Sequence, residues 1–418
     1  MRSSYDRRDL GGGVYLSQIS DPKFKTNTVF IRFMTEYSEK DAAALALIPA
    51  VLTSCSAEYP TGTEFNKKLN ALYGTTVSGA VNQMGDIYEL KISADFLADR
   101  YALGGDRISD DVSKLLVGCI FDPAVEQGGF AADEFEMRRK DLLDAIDAEI
   151  NDKISYAMGL SFETVYRGEA RACKYYGSRE AVEKVTPAEA YEVYKRVLKK
   201  AKVEISFCGH GGFDDAIKVL EKAFKTDRQS WSTPSFLSYS PIKPEPEYVT
   251  KHMSVAQANL VMAFKPEKHD LRTAQVLSCV YGGAPFSKLF ANVREKMSLC
   301  YFCQSIYSET KGTMFVVSAV EFDNIEKAKN EIIRQLSLIA DGEVTEDELR
   351  SAKLILANSY RSREDKIFLI DDWYACGNLR GEVLTPEEYI EKLNEVTRED
   401  VINLAKSFKL DTVYVQRD

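Results

Sequence analysis

Histidines, the side chains that most often hold a catalytic metal, are scarce in this sequence. Only three occur among 418 residues, His210, His252 and His269, and no two have the H-x-x-x-H spacing. A zinc peptidase helix needs two histidines at that spacing, so that both rings face one ion, and a glutamate between them to accept a proton from the metal-bound water. The sequence therefore predicts no catalytic metal and no cofactor. We expect His210 to be a turn residue or to bind a carbonyl group, and the other two to lie at the surface.

Two cysteines form a lone C-x-x-C pair, a spacing that could support metal or redox chemistry. Cys300 and Cys303 lie in the segment LCYFCQSIY, which has the composition of a β-strand. Side chains three residues apart in a regular strand point to opposite faces, so we expect two buried thiols that share no ion. Cys55 could act as a nucleophile only beside a base, and no histidine is near it in the sequence.

One stretch, Gly282 to Tyr301 (GGAPFSKLFANVREKMSLCY), is specific enough to suggest a family. It combines a glycine pair, a helix that carries Phe290 and Arg294, and a strand that begins near Tyr301. The glycine pair lacks the G-x-x-x-x-G-K-[ST] pattern of a phosphate-binding loop, so we interpret it as a tight turn between a strand and a helix. The stretch resembles the second-domain signature of the pitrilysin-like peptidases, or inverzincins, which include insulin-degrading enzyme and the mitochondrial processing peptidase.

The resemblance covers nearly the whole chain and implies two homologous α+β domains that fold toward each other as a clamshell around a peptide-sized chamber. Counting from the segment GTEF, the H-x-x-E-H zinc motif of the family falls on LIPAV, residues 47–51. Leu47 and Val51 then stand in place of the histidines, and Ala50 in place of the glutamate. The third zinc ligand of the family matches Ala145. The resemblance therefore implies a member of the family whose metal site is lost.

The residues that hold a peptide in the active relatives are partly retained. In those relatives an arginine and a tyrosine seven residues apart reach from the second domain toward the substrate. Arg294 and Tyr301 keep this spacing, and Phe290 lies one turn earlier. The alternative is that Arg294 pairs with an acidic neighbour and that Tyr301 simply packs.

Active relatives also add the substrate to an exposed strand through main-chain hydrogen bonds. Residues 77–81 match that strand, and three small side chains in it would let a peptide backbone approach: Ser78, Gly79 and Ala80. An ordinary edge strand is the alternative.

For the function, the resemblance implies a non-catalytic subunit. Such subunits pair with an active pitrilysin-family zinc peptidase as a heterodimer and contribute chamber wall and peptide binding, in peptide processing or a protein-modification pathway. Two alternatives stay open: an active metallopeptidase with a displaced set of carboxylate ligands, and a stand-alone homodimer that binds a peptide or an unfolded protein segment. The net charge of −10 argues against nucleic acid as a partner.

Composition places few other limits. The start of the chain lacks the apolar segment of a signal peptide, and the longest nearly apolar run, Ala42 to Leu52, is about half a membrane span. Eight scattered cysteines suit a reducing compartment. We therefore expect a cytoplasmic bacterial protein without a membrane segment.

The pattern of elements indicates a duplicated α+β fold with largely antiparallel mixed sheets and flanking helices. A proline-rich segment, 226–249, is the predicted linker between an N-terminal domain (1–225, with the metal site lost) and a C-terminal domain (250–418). The run EKVT followed by a helix and the strand VEISF is echoed by NEVT, a helix and the strand TVYV. We also expect Asp41 to cap a helix that contains Pro49.

Overall fold

The computed structural model describes residues 4–225, 228 and 235–418. By packing, these residues divide into two units, neither of which is one continuous stretch of chain. Unit 1 comprises the described residues of three segments: Met1–Asp147, Lys174–Ser235 and Ile367–Ala375. Unit 2 comprises three others: Ala148–Cys173, Phe236–Lys366 and Cys376–Asp418.

The predicted linker, 226–249, lies partly outside the described residues. Its described part from 235 to 246 contains neither helix nor strand, and a strand begins at Glu247. The two units are defined by packing, whereas the predicted domains 1–225 and 250–418 are divisions of the sequence. The bounds of these domains therefore stay a prediction.

Strands and helices alternate irregularly through the described chain. Up to residue 225 they are β1 (Ser4–Gly11), β2 (Val14–Ser20), β3 (Thr26–Glu36), α1 (Ala42–Leu52), α2 (Gly62–Ala71), β4 (Thr76–Met84), β5 (Ile87–Leu97), α3 (Ile108–Phe121), β6 (Val125–Glu126), β7 (Gly129–Phe130), α4 (Ala132–Ala148), α5 (Lys153–Val165), α6 (Arg179–Lys184), α7 (Pro187–Lys200), β8 (Lys202–Gly209) and α8 (Asp214–Phe224). From residue 235 they are β9 (Glu247–His252), β10 (Ala258–Pro266), α9 (Leu271–Ser278), β11 (Cys300–Ser308), β12 (Thr313–Val320), α10 (Ile325–Ala340), α11 (Glu346–Arg361), α12 (Ile367–Arg380), α13 (Pro386–Asn394), α14 (Arg398–Ser407) and β13 (Phe408–Arg417). No helix in the described part of the chain is long and apolar enough to cross a membrane.

The main sheets of the two units have the same strand order. It is β1-β2-β8-β3-β5-β4 in unit 1 and, read from the matching edge, β9-β13-β10-β12-β11 in unit 2. Each sheet is antiparallel except for one parallel pair at the same place in the order, β2 with β8 and β9 with β13. Unit 1 has β1 as an additional edge strand. The predicted α+β class and the repeated topology are therefore confirmed.

Helix starts follow from local sequence. Four helices begin at capping boxes, in which a threonine hydroxyl accepts a hydrogen bond from a main-chain N–H three residues on and an acidic side chain binds back: Thr186 of α7, Thr345 of α11, Thr385 of α13 and Thr397 of α14. Two of these helices, α7 and α14, precede the equivalent strands β8 and β13. The repeated T-x-x-[ED] pattern in the sequence therefore marks a repeated helix start.

Helix α1 forms where it is predicted, but Asp41 does not cap it with its side chain. The Asp41 carboxylate instead pairs with Arg196 at 2.7 Å. Strands β4 and β5 pair in antiparallel register around the turn at Gly85, which has a φ of +61°.

The core of unit 1 lies against one face of its sheet. Because side chains alternate along a strand, Val29, Ile31 and Phe33 of β3 point to this face, where they join a buried cluster with α1, α3, α7 and α8. The opposite face of β3 is covered by the segment Ile367–Ala375 from the second half of the chain. Phe30 contacts Phe368 there, with ring centroids 5.3 Å apart.

The sheet of unit 2 is in turn covered by residues from the first half of the chain. Ala157 and Val165 of α5, with Tyr166, form a buried cluster with Val261 of β10 and Phe315 of β12. The two halves of the sequence thus exchange segments. This exchange explains why the packing units do not end at the predicted linker.

A buried arginine holds the exchanged segment of unit 1 in place. Arg32 is 1% exposed and forms an ion pair with Asp371. Its guanidinium also lies 2.8 Å from Asp372 and 3.1 Å from Glu89. A buried charge is stable only when it is paired and hydrogen-bonded, so these carboxylates make the segment part of the fold.

Candidate functional site

Two of the four positions that the resemblance assigns to the zinc site lie in the apolar core of unit 1. Leu47 and Val51, one helical turn apart on α1, are only 1% and 2% exposed. Ala50 is half-buried, and Ala145 lies on the exposed side of α4. Aliphatic side chains offer no donor atoms to a metal ion, so these residues do not fit zinc.

Helix α1 presses directly on the edge strand β4. A Cβ atom added at Gly79 would lie 2.2 Å from the carbonyl oxygen of Pro49. Only glycine therefore allows β4 to lie this close to α1. The space beside Gly79 is taken by the helix, so a peptide could contact Gly79 only through its main chain.

Strand β4 lies at the edge of its sheet, as predicted, and pairs with β5. Ser78 and Ala80 are exposed on the face opposite Gly79. The Ser78 hydroxyl shares a hydrogen bond of 2.9 Å with that of Ser93 on β5. Peptide binding by Ser78, Gly79 and Ala80 stays a prediction.

In unit 2 the region between α9 and β11 contains two π-helical segments, Cys279–Gly283 and Phe290–Lys296. Such segments are rare and are often found at functional sites. Gly282 and Gly283 end the first of them, so the prediction of a strand-to-helix turn at this pair is wrong. A Cβ atom added at Gly282 would lie 2.6 Å from the main-chain nitrogen of Ser305, so this glycine lets the helix approach β11.

The structure brings Phe290, Arg294 and Tyr301 together as a cation–aromatic cluster. The Arg294 guanidinium lies 4.5 Å from the ring centroid of Phe290 and 5.6 Å from that of Tyr301. The side chain of Tyr301 is 78% exposed, and its role in peptide binding stays a prediction. Cation–π contacts orient a guanidinium without using its hydrogen-bond donors.

A small cavity of about 220 Å³ adjoins this cluster. Its lining includes Gly283, Phe290, Arg294, Cys303 and Gln304. Pockets that hold drug-sized ligands usually measure about 300–1,000 Å³. The volume therefore suits one side chain better than a whole ligand.

The two thiols of the C-x-x-C pair lie on the same face of β11, which corrects the expectation of opposite faces. Cys300 pairs with Val320 of β12, and Cys303 pairs with Ser318. The two cysteines are three positions apart on β11, whereas their partners are only two positions apart on β12. This extra residue is a β-bulge, and it restores the same facing at a spacing of three.

The Cys300 and Cys303 side chains share a hydrogen bond, and it sets their acidity. The hydrogen bond from Cys303 lowers the pKa of Cys300 to about 7, against the effect of burial, with smaller contributions from Ser318 and the charge of Arg294. The same hydrogen bond raises the pKa of Cys303, and burial adds to this. Cys300 is half-buried and Cys303 is buried.

The other candidate groups have structural surroundings. His210 donates from Nδ1 to the carbonyl of Phe24 at 3.0 Å, as predicted. His252 and His269 are exposed, and the ring of His269 stacks on Tyr239. Cys55 is buried, and burial raises the pKa of its thiol. In the part of the chain that the structure describes, no group of three or more His, Cys, Asp or Glu residues could hold a metal ion.

Comparisons with known proteins agree with this picture. A family model described as "Peptidase M16 inactive domain" matches residues 184–356. The chain is 24% identical over 408 residues to the probable inactive metalloprotease YmfF of Bacillus subtilis (strain 168), covering 96% of this chain and 95% of that protein. A conserved protein from Enterococcus faecalis V583 has a similar crystal structure, with a TM-score of 0.91 and 25% identity over 99% of this chain and 98% of that chain. The peptidase M16 inactive domain from Pseudomonas fluorescens, with a TM-score of 0.79 and 16% identity over 99% of this chain and 98% of that chain, supports the fold alone.

The resemblance to the pitrilysin-like (M16) peptidases that was inferred from the sequence is thus confirmed. The chain is an inactive-type homologue of these metallopeptidases, and its sequence contains no H-x-x-E-H motif.

Proposed function

We propose that this chain is a non-catalytic, peptide-holding subunit that pairs with an active zinc peptidase of the same family and contributes wall and binding surface to its peptide chamber. One observation carries the proposal. The cluster of Phe290, Arg294 and Tyr301 is accessible and oriented, while the motif positions Leu47 and Val51 are packed into a core.

The cluster suits a peptide better than a small charged metabolite. A guanidinium that rests on aromatic rings keeps its N–H groups for carbonyl or carboxylate acceptors. The exposed ring of Tyr301 offers apolar contact area, and the adjoining cavity of about 220 Å³ has room for one side chain. A peptide presents all three features: carbonyl groups, side chains and an extended backbone.

The edge strand β4 is the second proposed peptide-binding surface, considered separately from the first. An edge strand has main-chain groups that can pair with an added strand. Ser78 and Ala80 have small, exposed side chains that do not obstruct such pairing. A lysine at an edge position discourages strand addition, which makes this surface testable.

The first experiment tests the pairing. The chain is co-expressed with a family member from the same genome that has an intact H-x-x-E-H motif, and co-purification and the peptidase rate of that partner are measured. We expect a stable complex and a changed rate toward long peptides. Absence of both a complex and any effect on the rate would overturn the proposal, and a mass of two copies of this chain alone would favour the homodimer.

Matched variants then test the two surfaces. Arg294→Gln and Tyr301→Ala should weaken peptide binding, while Arg350→Gln, an equally charge-removing change at a side chain 78% exposed on α11, should not. For β4, Ala80→Lys should weaken binding, and Thr76→Lys, on the same face at the start of the strand, serves as the control. Equal effects of test and control variants would contradict the assignment of each surface.

A further inference from the structure

We propose that Cys300 and Cys303 are a redox-active pair that forms a reversible disulfide by exchange with low-molecular-weight disulfides, beside the Arg294 cluster. The chemistry of the pair does not rest on the proposed function. Only its effect on a bound peptide does.

The bulge in β11 supplies the geometry. It places both cysteines opposite residues of β12 that share one face, Val320 and Ser318. The two side chains are close enough for the Cys303 thiol to lower the pKa of Cys300 by hydrogen bonding, and a disulfide forms when the two sulfur atoms reach the bond length of about 2.05 Å. In a regular strand the same spacing would keep the sulfurs on opposite faces.

The surroundings favour attack by Cys300. The groups that face its thiol are Cys303 on the same strand, the hydroxyl of Ser318 on β12 and the guanidinium of Arg294. Cys303 and Arg294 stabilise a thiolate, by hydrogen bonding and by charge, whereas the Ser318 hydroxyl donates its proton to the Phe302 carbonyl at 2.7 Å. Cys300 is half-buried and therefore partly accessible to a reagent from solvent, whereas Cys303 is buried and lines the cavity of about 220 Å³.

Two other cysteines show what an inert arrangement looks like. Cys55 and Cys119 are 2% and 0% exposed. Burial raises the pKa of both thiols, for Cys119 to about 12. Buried thiols of this kind are slow to react because the thiolate is the nucleophile. The contrast makes Cys55 and Cys119 an internal reference within the same molecule.

The exchange balances in two steps. The thiolate of Cys300 attacks one sulfur of a small disulfide RSSR, the S–S bond breaks, and one RS⁻ leaves. Cys303 then gives up its proton to solvent and attacks the sulfur of Cys300, and the second RS⁻ leaves. In sum, two protein thiols and RSSR become one protein disulfide and two RSH, and an excess of a small thiol reverses the reaction.

The test uses the purified full-length chain in buffers of defined ratios of glutathione and glutathione disulfide. Free thiols are blocked after equilibration, and peptide mass spectrometry reports the state of each cysteine. We expect a disulfide that links Cys300 to Cys303, while Cys55 and Cys119 stay reduced. If Cys300 and Cys303 remain free thiols at glutathione ratios that already modify Cys55, the proposal is overturned.

Two variants assign the roles. In Cys303→Ser, glutathione should accumulate as a mixed disulfide on Cys300, because the resolving thiol is missing. In Cys300→Ser, Cys303 should react at least about tenfold more slowly than Cys300 does in the unaltered chain. Equal reactivity of the two cysteines would contradict the assigned roles, and circular dichroism of each variant shows whether its fold is kept.

The alkylation rate of Cys300 gives an independent readout. It should rise with pH through a midpoint near 7, because the thiolate is populated above the pKa of about 7. A midpoint of about 8.5, the ordinary value for a thiol, would count against the pair. Peptide binding is then compared between the reduced and oxidised chain. A pair that oxidises without changing peptide binding would contradict only the link to the proposed function.

Discussion

The two units contain the same junction between a helix and an edge strand, but with different chemistry. In unit 1, α1 follows β3 and presses Pro49 against Gly79 of the edge strand β4. In unit 2, the helical segment after β10 presses Gly282 against Ser305 of the edge strand β11. The glycine lies on the strand in one unit and on the helix in the other, and either placement removes the Cβ atom that would prevent the contact.

The residues around these junctions differ in exposure. Near the first, Leu47 and Val51 are buried among other apolar side chains, where each stabilises the fold by about 1.5–3 kcal/mol. Near the second, Arg294, Tyr301 and Cys300 are at least partly accessible. The first junction is therefore surrounded by apolar core, while the second has polar and aromatic groups that solvent can reach.

The variant Gly79→Ala should break the first junction and have the largest effect on stability. The new Cβ atom would lie 2.2 Å from the Pro49 carbonyl oxygen, so the backbone of α1 or β4 must move. We expect the free energy of unfolding to fall by about 4 kcal/mol, at the upper end for overpacked sites, as measured by urea denaturation. Gly118→Ala in α3, where no heavy atom lies within 4 Å, is the control and should raise stability by about 0.5–1 kcal/mol.

Leu47→Ala tests how much the residue at the predicted motif position contributes to the core. The side chain is 1% exposed, and truncation of a buried leucine costs about 3 kcal/mol. Leu354→Ala on α11 is the matched control, since Leu354 is 58% exposed and should change stability by less than about 0.5 kcal/mol. Similar losses for both variants, again from urea denaturation, would mean that α1 is not packed as described.

Gly282→Ala tests the second junction in the same way. Its Cβ atom would meet the main-chain nitrogen of Ser305 at 2.6 Å and the flexible Leu289 side chain at 2.8 Å. We expect a smaller loss than at Gly79, about 2 kcal/mol, because part of the clash can be relieved by the Leu289 side chain. Gly159→Ala in α5 has no heavy atom within 4 Å and should not destabilise the protein. If Gly282→Ala lowers the free energy of unfolding as much as Gly79→Ala does, the two junctions are equally rigid.

Of these variants, Arg294→Gln should have the smallest effect on stability. It tests directly whether the second junction serves binding rather than folding. The cation–π contacts of Arg294 at an accessible site are worth less than about 1 kcal/mol. The substitution should lower the affinity for a peptide, measured by titration calorimetry, and leave the melting temperature nearly unchanged. A large loss of stability without a change in peptide affinity would assign Arg294 a purely structural role.

Much of the fold could be inferred from the sequence because it depends on local signals. The T-x-x-[ED] pattern at Thr186 and Thr397 marks equivalent helix starts. The missing zinc ligands could be inferred from composition, since three histidines without H-x-x-x-H spacing cannot form the motif. The close spacing of Arg294 and Tyr301 on neighbouring elements likewise let their proximity be anticipated.

The features that could not be predicted depend on contacts between distant parts of the chain. Two partners of Arg32, Asp371 and Asp372, are more than 300 residues away in the sequence, and no local pattern marks them. The facing of Cys300 and Cys303 depends on a bulge, which is set by how β11 pairs with β12. The spacing of three residues alone predicts opposite faces, which is wrong for this pair.

The exchange of segments between the two halves has a consequence for how the chain matures. While the protein is being made, the sheet that contains Arg32 is complete in its strands by Gly209, yet its charged face stays bare until the ribosome has delivered Asp371. Until then Arg32 is open to water and keeps Glu89 of the same sheet as its partner, but Phe30 beside it lacks the ring of Phe368 that covers it. The first half therefore exposes apolar surface until nearly the whole message has been translated, and a prematurely terminated product would be prone to aggregation.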